Sequence, residues 1–354
     1  MDVWVNIWYI MLMINQAVIT TREELERVLT LSEPELRWFS SHTDSLPFQI
    51  SRYYLNLIDP SDPNDPLRRQ AIPTTDEDVR VEGENLDPLA EVSHSIFPRL
   101  IHRYTNRVAL LVTDRCVLYC RHCFRRRFTA GGELGVSDSE LQEIGSYLSV
   151  HPEIREILLT GGDPLTLSDV RLEQIITTLR KVRNDLVIRL CTRMPVTYPA
   201  RVTDELVARL RPFTSPALFL MTQFNHFREV TPESRRAIDR FVDAGIPVMN
   251  QSVLLRGVND NVDTLERLMN DLVAIRVKPY YLFQGDLVGG TAHLRVPLEQ
   301  GLEIERMLRE RLSGLAMPQY AVDLPNGGGK VPLYGTGRNR PGGRGLPGTI
   351  RDDS

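Results

Sequence analysis

The feature that most restricts the fold of this chain is an alternation. From about residue 100 onward, short apolar runs take turns with helical patterns. Strands are predicted over residues 108–113, 157–160, 186–191, 217–224, 248–255 and 279–283. Helices are predicted over residues 139–148, 169–182, 204–210, 232–244, 262–275 and 298–312. Ser137 with Glu140 forms a capping box ahead of the first helix, and Thr231 with Pro232 opens another at the favoured N-cap and N1 positions. Strand–helix alternation over some two hundred residues argues for a parallel sheet. Closed or nearly closed, that sheet is a β/α barrel; an open doubly wound sheet is the rival. In either, chemistry sits at the C-terminal ends of the strands. Thr160-Gly161-Gly162-Asp163 ends the second strand, Gln223 and Asn225 end the fourth, Asn250-Gln251 lies on the fifth, and Gln284-Gly285-Asp286 ends the sixth.

The loop after the first strand is the densest of these features. Residues 115–128 hold Cys116, Cys120 and Cys123 in a C-x3-C-x2-C spacing, followed by Arg125, Arg126 and Arg127. Three thiolates on a short loop make a soft site suited to an iron–sulfur cluster. Electron-carrier clusters take four cysteines, so three leave one iron open to another ligand. The alternative is a structural zinc site, which needs a fourth ligand; His122 is the nearby candidate, but there is no second knuckle. Four cysteines in 354 residues are too few for a disulfide scaffold, and three in one loop call for a reducing cytosol. Cys191 reads as a small buried hydrophobe on a strand. The formal charge of −4 argues against a general nucleic-acid binder.

The flanks read differently. Residues 1–19 are apolar, but they lack the positive start of a signal peptide, and Asn6, Asn15 and Gln16 interrupt any membrane span. An amphipathic segment packed on the body, or a mis-called start codon, fits better, with the cytoplasm as default location. Thr21 and Glu24 form a capping box before Leu25, Val28 and Leu29 at helical spacing. The Asp-Pro run at residues 59–66 is an ordered, extended strap, residues 75–91 read as an acidic linker, and the Pro/Gly/Arg-rich end reads as disordered. The expected organisation is a helical and irregular region at 1–95, a β/α core at 96–333, and a disordered tail at 334–354. Lys330 follows three glycines, which allow a tight, open loop; the phosphate-loop spacing fails because Leu324 and Val331 occupy two of its defining positions.

C-x3-C-x2-C after the first strand resembles the radical S-adenosylmethionine (SAM) superfamily. Longer motifs resemble, more narrowly, the lysine 2,3-aminomutase family. They are Cys-Arg-His-Cys-Phe-Arg-Arg-Arg-Phe at 120–128, Asp-Pro-Asn-Asp-Pro at 62–66 with Gln70-Ala-Ile-Pro73, Asn250 to Asn259, and Asp323-Leu-Pro-Asn-Gly-Gly-Gly-Lys330. The similarity runs from about residue 50 to 333. It implies a partial β/α barrel in which Cys116, Cys120 and Cys123 hold a 4Fe-4S cluster whose open iron binds SAM. It implies SAM contacts from Gly161, Gly162, Asp163 and Gln251, and a Schiff base between Lys330 and pyridoxal phosphate (PLP), with Arg103, Tyr104 and Arg107 around the PLP and its phosphate. Arg125 would grip a substrate carboxylate, while Asp286 and Asp323 would hold the distal ammonium of lysine. The implied reaction is migration of the 2-amino group of lysine to C3 to give β-lysine, with arginine, a protein-linked lysine, or a non-catalytic cluster-binding role as alternatives. An external electron donor of flavodoxin or ferredoxin type and a homo-oligomer belong to the same expectation, without nucleic acid or membrane. The sequence departs from the family pattern where Gln223 replaces a His, Phe283 a Tyr and Asn261 a zinc-ligating Cys, and in lacking the cysteine-rich C-terminal extension.

Overall fold

The computed structural model describes residues 16–41, 46–129, 131, 135–324 and 329–335. The expectations for residues 1–15 and for the tail beyond 335 lie outside the described residues. A two-stranded antiparallel ribbon joins β1 (Val18–Ile19) to β2 (Ile50–Ser51). A ten-stranded sheet holds β3 (Ser95–Phe97), β4 (Leu100–Tyr104), β5 (Arg107–Thr113), β6 (Glu156–Gly161), β7 (Val187–Cys191), β8 (Leu218–Thr222), β9 (Val248–Val253), β10 (Val277–Phe283), β11 (Gln319–Asp323) and β12 (Lys330–Pro332).

Strand order decides between the two predicted architectures. The ten strands lie side by side in chain order, β5 to β11 parallel, with β3–β4–β5 and β11–β12 antiparallel at the edges. A doubly wound sheet reverses its order at a switch point, and this one never does. Right-handed crossovers that always step the same way put every connecting helix on one face. Those helices are α1 (Asp138–Val150), α2 (Asp169–Val182), α3 (Asp204–Leu210), α4 (Pro232–Asp243), α5 (Val262–Ala274) and α6 (Leu298–Arg311). The sheet therefore curls into a partial barrel whose two edges, β3 and β12, do not pair with each other among the described residues.

The period of two along each strand separates core from cavity. Ile157 and Leu159, Ile188 and Leu190, and Leu218 and Leu220 are buried under the helices. Each such side chain contributes about 1.5–3 kcal/mol. Their alternates Leu158, Thr160, Arg189, Cys191, Phe219 and Met221 line a cavity on the opposite face. Register keeps that face continuous, with Leu158 beside Arg189 and Arg189 beside Phe219.

The helix caps match the sequence reading. Ser137 and Glu140 form the capping box of α1, and Thr231 caps α4 ahead of Pro232. Asn261 caps α5 by accepting from the Thr264 N–H at 2.9 Å. At the N-terminus the expected helix is a single turn, Arg22–Leu25, in which Thr21 accepts from the Glu24 N–H.

Two segments correct the sequence reading. The first strand is predicted at residues 108–113, but Arg103 and Tyr104 already lie on a strand, β4, antiparallel to β5. The acidic residues 75–91 are not a free linker; three of their carboxylates lie on the arginines of the cysteine loop, and Glu84 pairs with Arg295. Glu77 pairs with Arg121 and Arg126, Asp87 with Arg127, and Glu91 with Arg125.

Candidate active site

A cavity of about 610 Å³ opens on the inner face of the sheet. One end is built by the loop after β5, where Cys116, Cys120 and Cys123 line the wall as free thiols. Residues N-terminal to the sheet clamp this loop. The Tyr119 N–H donates to the Gln49 carbonyl at 3.1 Å, and the Arg121 N–H to the Gln70 carbonyl at 2.9 Å. The fully buried Arg121 guanidinium donates to the carbonyls of Leu46 and Pro47 and to both Glu77 oxygens. Burial alone would raise the Glu77 carboxyl, but Arg121 and Arg126 beside it hold it below the usual range.

The glycine turn after β6 fixes the loop from the other side. The Gly162 N–H donates to the Thr113 carbonyl at 2.6 Å, and the Asp163 N–H to the Arg115 carbonyl at 2.7 Å. A Cβ on Gly162 would press into the Arg115 carbonyl, so only glycine permits the approach. Gly161 has φ +111 and would meet the Thr113 carbonyl in the same way. The Asp163 carboxylate is spent inside the protein, accepting from the Leu165 N–H at 3.0 Å, Thr192 Oγ1 at 2.6 Å and the Arg193 N–H at 2.8 Å. The turn thus serves first as the seat of the cysteine loop.

The donor set fits a multi-iron cluster. Among the described residues no three His, Cys, Asp or Glu side chains converge where one ion would sit, as a single tetrahedral zinc requires. The thiols instead share one wall, and in a cluster each takes a different iron. Burial pushes the Cys116 thiol well up and Cys123 up to about 11, and the neighbouring sulfurs add to both shifts. A bound cation would favour the thiolate forms of Cys116 and Cys123 against this burial. Arg193, which the sequence reading missed, donates from Nη1 to Cys120 Sγ at 2.9 Å. N–H to sulfur bonds of this kind tune clusters. Nη2 of Arg193 binds buried Glu229 and Gln70, each at 2.7 Å.

The other end of the cavity is built by β4, β10 and the β11–β12 hairpin. Lys330 is not in an open loop but is the first residue of β12, directly opposite Asp323 on β11. Its Nζ donates to Asp323 Oδ2 at 2.8 Å. It lies 5.4 Å from the Tyr104 ring centre and 5.5 Å from that of Phe283. Burial lowers the ammonium's pKa, and Asp323 opposes the shift. Asp323 also accepts from Arg103 at 2.8 Å and from the Tyr104 hydroxyl at 2.9 Å. Burial and then Asp323 push the Tyr104 hydroxyl up to about 12. The chain has three lysines, Lys181, Lys278 and Lys330. Lys181 is exposed, and Lys278 donates to the carbonyls of Gly314, Leu315 and Met317. Lys330 is the one that lines the cavity. A depressed amine among aromatic rings fits the aldehyde cofactor that the sequence resemblance implies. Arg107, stacked 3.7 Å over the Tyr104 ring, and Arg189 add positive charge to the same wall.

Between these ends lie the remaining predicted residues. Arg125 lines the cavity, but its guanidinium is paired with Glu91, a residue the sequence reading did not single out. Asp286 lines the cavity with no side-chain hydrogen bond or ion pair among the described residues. Burial first, and then the charge of Asp323, push its carboxyl up to about 7. Gln251 also faces the cavity, whereas Asn250 is buried and holds the Phe224 backbone. Gln223 meets His122 Nε2 at 3.3 Å. Cys191 is not a core residue; it is half-buried and lines the cavity.

A singly wound, open β/α sheet with three cysteines after its first parallel strand defines the radical SAM class, and the family model described as the radical SAM superfamily matches residues 110–272. L-lysine 2,3-aminomutases of Acetoanaerobium sticklandii and Clostridium subterminale are each 45% identical over 315 residues, 89% of this chain and 76% and 75% of theirs. A glutamate 2,3-aminomutase of Clostridioides difficile is 40% identical over 315 residues, 89% of this chain and 74% of that protein. The chain belongs to the lysine 2,3-aminomutase family, and it is an isomerase that uses an iron–sulfur cluster and SAM. No helix among the described residues is long and apolar enough to cross a membrane.

Proposed function

We propose that this protein moves the 2-amino group of free L-lysine to C3, giving β-lysine, in the cytoplasm and with electrons from an external flavodoxin- or ferredoxin-type donor. Bound in the cavity, the cluster with SAM supplies a carbon-centred radical, and PLP supplies a π-system across which an amino nitrogen can migrate. Cys116, Cys120 and Cys123 hold the cluster, with the glycine turn and Arg193 fixing their loop. Lys330 holds PLP through its amine, and Arg107, Tyr104 and Arg189 surround it. Asp323 accepts a hydrogen bond from Lys330 and so holds its amine toward the cavity. Arg125 takes the amino acid's carboxylate through a charge-assisted pair.

The observation that carries the choice of lysine is the unpaired Asp286 carboxylate beside Asp323 in the cavity. An ammonium placed between two carboxylates relieves their mutual repulsion, whereas a substrate carboxylate would add to it. The test is anaerobic reconstitution with iron, sulfide, SAM, PLP and a reductant, followed by incubation with lysine, arginine and glutamate together. β-Lysine alone is expected. β-Glutamate, β-arginine, or no product from any free amino acid would refute the reading.

A further inference from the structure

Arginine carries five N–H donors in a rigid fork, and the partners of Arg125 account for three of them. Nε donates to the two Glu91 oxygens at 3.0 and 3.1 Å, and Nη2 donates to Glu91 Oε1 at 2.6 Å. Nη1 donates to Thr160 Oγ1 at 3.0 Å. One N–H is left on each terminal nitrogen, on a side chain that lines the cavity. Glu91 therefore grips the side edge of the guanidinium and leaves a pair of donors for a second carboxylate.

The backbone is shaped to deliver Glu91 there. Ala90 adopts φ +53, a left-handed conformation that costs energy for a residue with a Cβ. The Glu91 N–H is tied to Asp87 Oδ1 at 3.0 Å, and Asp87 in turn pairs with Arg127 at 3.2 Å. Glu91 and Arg125 side chains are only 7% and 15% exposed. A buried guanidinium without this partner would swing to another carboxylate, since an unpaired charge is costly away from water.

Resting on the reading that Arg125 takes the amino acid's carboxylate, we propose that Glu91 is a positioning residue for that carboxylate. It locks the plane of the guanidinium so that its two remaining donors meet the ligand together. The opposite view makes Glu91 a competitor that the substrate must displace. The two views differ in sign.

The experiment compares wild type with Glu91→Ala and Glu91→Asp, all loaded with cofactors but without reductant. Calorimetry measures binding of lysine and of cadaverine, which is lysine without its carboxylate. The alanine variant is expected to weaken lysine roughly tenfold to a hundredfold while leaving cadaverine within about twofold. In turnover assays KM rises by the same factor and kcat changes far less. The aspartate variant, which keeps the charge, recovers part of the loss; if the alanine variant does not fold, aspartate carries the test, with lysine weakened and cadaverine not. Equal losses for both ligands would mean a merely structural role and overturn the proposal. Unchanged or tighter lysine binding would overturn it too, the tighter result favouring the competitor view. A wild-type protein that ignores lysine would instead refute the proposed function, and the role of Glu91 with it.

Discussion

In Asp286→Asn the cavity loses a carboxylate that its surroundings disfavour, and the ligand-free protein is expected to gain stability. The carboxyl stands at about 7 in the folded state against an ordinary 3.8. About three units at 1.36 kcal/mol each set a ceiling of about 4 kcal/mol; cavity water screens the charge and brings the gain below that. The sign follows from proton binding. A carboxyl with a raised folded pKa binds protons more tightly when folded, so its unfavourable effect is absent below about pH 4. It grows as pH rises toward 7 and is complete above. The variant should therefore match wild type near pH 4 and exceed it increasingly up to pH 8. For 354 residues the ceiling corresponds to about 5 °C in melting temperature. Thermal melts without ligand at half-unit pH steps measure this. Added lysine should then stabilise wild type more than the variant, because the ammonium neutralises the charge that the substitution removed. A variant no more stable at pH 8, or a difference that does not grow with pH, would refute the view of Asp286 as an ammonium site held in readiness.

Three further outcomes follow from the site. Lys330→Ala should bind no PLP that borohydride can fix to the protein, because Lys181 and Lys278 lie away from the cavity; a fixed chromophore in the variant would reassign the lysine. Gly162→Ala should fold but take up little iron on reconstitution, since its methyl group displaces the Arg115 carbonyl that starts the cysteine loop; normal iron content would remove the glycine turn from the cluster's support. Arg193→Lys should lower the cluster's reduction potential in an EPR-monitored titration, as a hydrogen bond to Cys120 Sγ is weakened; an unchanged potential would mean that the contact is only packing.

Much of the fold was legible because its signals are local. The helix over residues 169–182 was read to the residue, and β6 and α1 to within two, because caps and periodicity lie within a few positions of each other. The edges were not legible. β4 carries Arg103 and Tyr104, polar side chains that face a cavity rather than solvent, and polar residues weaken the apolar signal of a strand. The hairpin that carries Lys330 was read as a loop because its glycines suggested one. The acidic segment looked solvated because its partners lie 34 to 49 positions away, as in Glu91–Arg125 and Glu77–Arg126. Arg193 and Glu229 were invisible for the same reason. Each is a single residue outside any periodic pattern, and its meaning comes from Cys120, Gln70 and Tyr54 across the molecule. The three cysteines, Lys330, Arg125 and Asp286 were all brought to one cavity. What sequence did not convey is that Arg125 and Asp323 meet partners of the protein's own before any ligand arrives.

The order of strands has a consequence for how the enzyme comes into being. Each strand from β5 to β10 pairs with the one made just before it. A chain emerging from the ribosome can extend such a sheet one unit at a time, without waiting for a distant partner. The cysteine loop belongs to the earliest parallel strand and Lys330 to the last strand of all. The seat of the cluster is thus made at the start of synthesis and the amine for PLP at its end, so the two halves of the radical chemistry meet only when the whole sheet is complete.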